Sequence, residues 1–350
     1  MTLPPPATRA TSLAEVSQFL DGKLPLAYGE PGWDQFYTDT KRRDIDILIR
    51  TFVRRGLGHK ALFGGHSGNG KTTELSRFKG SDEIQQHFFV IAADVADSLN
   101  PVDLEIVELL LLVIVETLAY ADTHQLRLDH HLFERFKKLE GAFKGSLVIE
   151  QQQQEKVQSS LEASGEASLG YPGFLVKLRL KLLAKIKAQS DYRETVRTTF
   201  RPELNQLVEL LDDLLLTLCL NDPHKRKPLI VLDGLDRMSF ESSLKLYVQD
   251  ASTLALIRQA SLLLTVPISI IHSPDSAMVS NHLGKIHVFK NLRLQTREGG
   301  LDDDARDNHK LLVEFVHKRL EPSLISEQAL KTAIHYSGRI ARGQASLRLS

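Results

Sequence analysis

The chain has 350 residues, 42% of them apolar and 25% charged, which is the profile of a soluble globular protein and excludes fibrous, collagen-like and disordered classes. Lysine plus arginine balance aspartate plus glutamate at 44 each, so no global basic field draws the chain to nucleic acid, although a local patch stays open. The single cysteine, Cys219, excludes a disulfide framework within one chain and reads as a buried apolar thiol.

In chain order, the N-terminus MTLPPPATRATSL lacks the basic start and continuous apolar region of a secretory signal, which predicts a cytoplasmic location. Residues 1–30 are rich in proline and small side chains and predict an extended N-terminal arm. Helical spacing of Ile45, Leu48, Phe52 and Val53 predicts an amphipathic helix ending at glycine. A short apolar run, KALFGG, leads into a glycine-rich stretch, and GKTTELSRFK continues as a helix. HFFVIAADV has the length and composition of a buried strand. Helical pattern returns from Val102 to about Ala121. Its apolar run from Leu109 is interrupted by Glu116 and falls short of the ~20 residues a membrane span needs, so no span is expected.

Residues 123–195 read as an insertion, with QQQQ at 151–154 followed by a serine-, glutamate- and alanine-rich stretch and the basic segment YPGFLVKLRLKLLAKIKAQ. The alternation from Val176 to Leu182 suits a strand; the length and alanine/lysine content favour a helix. A solvated face over an apolar stripe is its ordinary reading, and a contact with nucleic acid, membrane or partner through Lys177, Arg179, Lys181 and Lys185 is the functional one. A long helix over about Glu194–Leu220 precedes the strand KPLIVLD, and a helix over Glu241–Ala260 precedes SLLLTVP. That strand ends at Val266 because Pro267 cannot donate to a ladder. KIHVFKNL is a further short strand, and from Asp302 onward HKLLVEFVHKRL and SEQALKTAIHYSG predict two helices. Strands alternating with helices, then helices alone, predict an α/β parallel sheet with flanking helices and a small helical C-terminal domain. The expected divisions are an arm at 1–30, a core at 31–300 carrying the insertion at about 123–195, and a helical lid at 301–350.

Gly65-His66-Ser67-Gly68-Asn69-Gly70-Lys71-Thr72 fits the spacing G-x-x-x-x-G-K-[ST], with an apolar run before it and a helical pattern after it. Glycines let the backbone turn so that its amides point inward at a phosphate, and the following helix adds its positive N-terminal end. Lys71 is expected to set its ammonium against the β- and γ-phosphates and Thr72 to offer its hydroxyl to magnesium, with Thr73 counted in the same nucleotide-binding stretch. Such a loop demands a buried strand ending in an acid near the magnesium, and LIVLDGLDR supplies Asp233. Asp236 is placed to orient or deprotonate the attacking water, or else to serve as a turn or N-cap residue. Thr265, at the end of the next apolar run, is placed to sense a γ-phosphate, or is there as a strand-favouring residue. Arg237, Arg258, Arg339 and Arg342 are the arginines that could meet transition-state charge, each with a surface cation as its ordinary reading.

Taken together, GGHSGNGKTTEL, LIVLDGLDR, LLLTVP and SGRIAR resemble the AAA+ and STAND group of P-loop ATPases, near the origin-recognition and bacterial defence-type ATPases. The resemblance runs from about Tyr37 to Arg342, with its specific motifs confined to short pieces. It implies a P-loop NTPase sheet, a helical lid, and ATP with Mg2+ used as a conformational or assembly switch. A homo-oligomer and a separate effector or sensor protein follow as expected partners, with antiphage defence as one setting. Carried over residue by residue, Lys71 and Thr72 take the phosphate and magnesium roles, Asp233 the second metal contact and Thr265 the polar sensor. Ser337-Gly338 with Arg339 and Arg342 resembles the lid motif that reaches the nucleotide of its own subunit, and Tyr37 to Asp39 resembles the N-terminal box near the base. Where members often carry a glutamate this chain has Arg237, which implies slow hydrolysis or a switch that mostly stays loaded. Two other functions fit the same loop: a nucleic-acid-binding loader or initiator, and a small-molecule kinase with its own acceptor site.

Overall fold

The computed structural model describes residues 9–20, 25–40, 44–126, 132, 135, 183–296, 298 and 300–336. Along the chain the principal elements are α1 (Leu13–Phe19), α2 (Asp44–Arg55), β1 (Lys60–Gly65), α3 (Lys71–Gly80), β2 (Phe88–Asp94) and α4 (Ile106–Thr123). They are followed by α5 (Ser190–Phe200), α6 (Leu204–Asn221), β3 (Lys227–Asp233), β4 (Ser261–Val266), β5 (Lys285–Phe289), α7 (Asp303–His317) and α8 (Glu327–Tyr336). The five strands form one parallel sheet in the order β2-β3-β4-β1-β5, so the expected α/β architecture with flanking helices is present. Continuous apolar runs make these strands because a parallel sheet is covered on both faces. All six residues of β4 are buried, as are the last six of β3. Registers are regular, with Ile91 opposite Ile230 and Asp94 opposite Asp233 between β2 and β3, and Leu232 opposite Leu264 between β3 and β4.

The chain divides into two compact units, one of Met1–Arg54, Phe63–Gln85 and Ile286–Ser350, the other of Arg55–Leu62 and Gln86–Lys285. In the first unit, α1 lies inside the segment whose composition predicts an extended arm. The Glu15 carboxylate accepts from the amides of Thr11 and Ser12 and closes the first turn of α1. Ala10 then exchanges backbone hydrogen bonds with the segment after α7, its amide donating to the Arg319 carbonyl at 2.8 Å and its carbonyl accepting from the Glu321 amide at 2.9 Å. Val16 and Leu20 are buried with Leu312, Val316 and Leu330 in one apolar cluster, so burial by α7 and α8 overrides the disorder that composition suggests. Arg319 lies beside them, its guanidinium 3.7 Å from the centre of the Phe315 ring and donating to the Phe315 carbonyl. Burial lowers its pKa to about 10, which leaves it a cation at neutral pH. In α2 the buried stripe is Ile45, Leu48, Ile49 and Phe52, while Val53 is only half-buried.

The second unit is built on α4, whose residues Ile106 to Leu118 are all buried, with α5 and α6 packed against it. The helix expected across 194–220 is broken. α5 ends at Phe200, a 3-10 turn covers Arg201–Glu203, and α6 starts at Leu204. Pro202 lacks the amide a continuous helix needs and its ring clashes with the preceding turn. The helix expected over Glu241–Ala260 is likewise three pieces: Phe240–Leu244, a π turn at Lys245–Gln249, and Ala251–Ala255. The π turn accompanies the full burial of Tyr247, whose hydroxyl donates to the Thr265 carbonyl. Cys219 on α6 is half-buried and not fully enclosed, its Sγ 3.5 Å from the Arg226 carbonyl, and burial raises its pKa. Among the described residues no helix is long and apolar enough to cross a membrane.

Candidate functional site

In the first unit the glycine-rich turn joins β1 to α3. The chain leaves β1 at Gly65, passes through exposed His66 and Ser67, and enters the helix at Lys71. Gly68 and Gly70 hold φ of 80° and 93°, a left-handed backbone that side chains with a Cβ resist, and this reverses the chain within five residues. The bond from the Glu74 amide to the Gly70 carbonyl at 3.0 Å closes the first turn of α3, which places the amides of Lys71, Thr72 and Thr73 at the helix N-terminus. Lys71 is 5% exposed, and its Nζ donates to the Gly65 carbonyl at 3.0 Å and the His66 carbonyl at 2.9 Å. The Asn69 amide nitrogen donates to the Phe289 carbonyl at the end of β5, which fixes the turn from its far side. Thr72 and Thr73 are half-buried.

Two residues behind this turn extend the reading of the sequence. Glu74, one helical turn after Lys71, is 6% exposed and accepts the Tyr37 hydroxyl at 3.1 Å. Burial, and next the Glu74 charge, push the Tyr37 phenol well above its ordinary pKa, so Tyr37 is a permanent donor. Arg77 joins Glu74 to Asp46 of α2. The Tyr37 ring stacks on Trp33 at 4.3 Å, and its carbonyl accepts from Lys318 Nζ at 2.5 Å. Tyr37 was singled out in the sequence, though not for this contact; Glu74 carried a weak signal, as an acid inside an apolar helix face.

In the second unit an acidic turn follows β3. Asp233 ends the strand with 8% exposure, and its Oδ1 accepts from the Gly234 amide at 2.7 Å. Gly234 has a φ of 81°, and a Cβ there would sit 2.4 Å from the Asp94 carboxylate and 3.0 Å from the Ala96 amide, so only glycine fits. The 3-10 turn Leu235–Arg237 follows, with Asp236 half-buried and Arg237 exposed. Thr265 is fully buried, and its hydroxyl is engaged twice: it accepts from the Leu235 amide at 3.0 Å and donates to the Leu232 carbonyl at 3.4 Å. It therefore pins the acidic turn to β4. Asp94 ends β2 opposite Asp233 and completes a pair of strand-end acids that the sequence reading missed; FFVIAAD repeats the apolar-run-then-acid pattern of LIVLD, which was the available signal.

The expected site residues thus divide by unit: Gly65 to Thr73 in the first, Asp233, Asp236 and Thr265 in the second. Of the four arginines, Arg237 and Arg258 are exposed in the second unit, while Arg339 and Arg342, with the rest of SGRIAR, lie outside the described residues. Lys177, Arg179 and Lys181 also lie outside them, and Lys185 is half-buried with its Nζ 5.9 Å from the centre of the Tyr192 ring. Among the described residues no cluster of three histidine, cysteine or carboxylate side chains could hold a metal by itself.

The fold and this turn define a class: an all-parallel α/β sheet protein with a glycine-rich strand-to-helix turn, compatible with a P-loop-like fold. No family model, curated protein or solved structure matches the chain, so nothing narrows that class by likeness.

Proposed function

We propose that the protein is an ATP-binding switch of the AAA+/STAND type that hydrolyses ATP slowly and couples nucleotide state to self-assembly and to control of a separate effector or sensor protein. The observation that carries the reading is the turn Gly65–Lys71. Left-handed glycines, the N-terminal end of a ten-residue helix and a buried lysine ammonium follow one another there within seven residues, and such a set of donors suits the oxygens of a triphosphate. In this reading Lys71 exchanges its carbonyl acceptors for β- and γ-phosphate oxygens. Thr72 would offer its hydroxyl to magnesium, which when bound neutralises phosphate charge; for Asp233 a metal contact is what the resemblance implies.

Hydrolysis would proceed by attack of water on the γ-phosphorus. The bond to the ADP oxygen breaks, and Asp236 orients the water and takes up its proton. Arg237, in place of a second acid after Asp236, keeps turnover slow. Thr265 acts on this chemistry through Leu235, by holding the turn. The helices α7 and α8 would form the lid, with Arg339 and Arg342 reaching the nucleotide. Antiphage defence is the setting we favour, in the cytoplasm. The test is magnesium-dependent phosphate release from ATP without an added acceptor. Asp236→Asn is expected to keep nucleotide affinity within about twofold and to slow release at least about a hundredfold. Wild-type turnover in that variant removes Asp236 from the chemistry.

A further inference from the structure

Glu105 stands immediately before α4 and is 7% exposed, so its carboxylate is stable only if its charge is met. One oxygen accepts from Arg201 Nη2 at 2.5 Å and Nε at 3.1 Å; the other accepts from Lys245 Nζ at 2.5 Å. A single side chain thereby ties the start of α4 to the turn after α5 and to the π turn. Burial pushes its pKa up, and the bonds from Arg201 and Lys245 outweigh that and hold it below the usual carboxylate value. Two paths lead from this knot to the acidic turn. Lys245 lies in the same π turn as Tyr247, whose hydroxyl holds the Thr265 carbonyl while the Thr265 hydroxyl holds the Leu235 amide. On the other side, Arg193 and Arg197 of α5 bind Asp103 at 2.9 and 3.0 Å, and the 3-10 turn Pro101–Asp103 packs directly on Leu235–Arg237.

We propose that Glu105 is a positioning residue through which α5 and the π turn set the conformation of Gly234–Arg237, so that a displacement of α5 is transmitted to Asp236. Its functional consequence rests on the proposed ATPase reading; the mechanical coupling does not. The π turn is the element through which the displacement would act, because it carries both Lys245, bonded to Glu105, and Tyr247, bonded to Thr265, and a return to α-helical pairing there would shift the two together.

The test uses the full chain and two variants, Glu105→Gln and Lys245→Met; the second replaces a side chain that is 41% exposed and keeps the question open if the first does not fold. Amide hydrogen exchange is followed in Gly234–Met238 and, as an internal reference, in Leu229–Leu232 of β3. Exchange in Gly234–Met238 is expected to rise about fivefold or more in the variants while the β3 amides stay unchanged. Unchanged exchange in Gly234–Met238, or a rise shared equally with β3, overturns the coupling. In parallel, kcat for ATP is expected to fall about tenfold with KM within about twofold, because the turn and not the phosphate cradle is displaced. A wild-type chain without turnover sinks the ATPase reading alone, and the exchange result still decides the coupling.

Discussion

At the scale of single residues, the side chains that organise the candidate site are held by partners far away in sequence. Thr265 is the clearest case, since its hydroxyl satisfies a buried amide 30 residues back in the chain. Thr265→Val keeps the shape and removes that acceptor, leaving the Leu235 amide buried without it. The expected cost is about 1–3 kcal/mol in denaturant unfolding, with turnover lost more steeply than nucleotide affinity. Equal stability in the variant would mean that water or another group replaces the hydroxyl and that the turn is not pinned by it. Sequence placed Thr265 at a strand end correctly, because an apolar run stopped by Pro267 is easy to read. It did not reveal that the hydroxyl serves the acidic turn, because hydrogen-bond partners depend on the register of β3 and β4, which single-sequence periodicity does not contain.

At the scale of elements, strands were more legible than helices. KALFGG, KPLIVLD and SLLLTV are strands at those bounds because continuous apolar runs with glycine, proline or aspartate at their ends admit little else. Periodicity alone overextends the helix across 194–220, because apolar residues continue at helical spacing on both sides of Pro202, the one residue that breaks it. The π turn at Lys245–Gln249 had no local signal, being fixed by where Tyr247 and Lys245 find partners. α1 was hidden by the proline-rich composition around it, although Ser12 followed by Glu15 is a start signal. Its burial has a consequence: removing residues 1–20 uncovers the cluster of Leu312, Val316 and Leu330. The truncated chain is expected to melt a few degrees lower, at roughly 1–2 °C per kcal/mol for a chain of this length, with faster amide exchange in α7. A melting curve and α7 exchange identical to those of the full chain would show that α1 contributes no packing.

At the scale of the whole molecule, the proposal is that ATP changes what the chain associates with. Balanced charge leaves no long-range repulsion to oppose self-association. Light scattering after size-exclusion chromatography is expected to give a larger mass with a non-hydrolysable ATP analogue than with ADP. One mass in both states removes assembly from the reading and leaves a monomeric switch. Everything in that scheme depends on whether the turn Gly65–Lys71 binds a triphosphate, and equilibrium titration of Mg-ATP into wild-type and Lys71→Ala protein measures it directly. The prediction is saturable one-to-one binding by the wild-type chain and an affinity at least about tenfold to a hundredfold weaker in Lys71→Ala, the loss expected for one charge-assisted contact. No binding by the folded wild-type protein, or equal binding by both, would contradict the account.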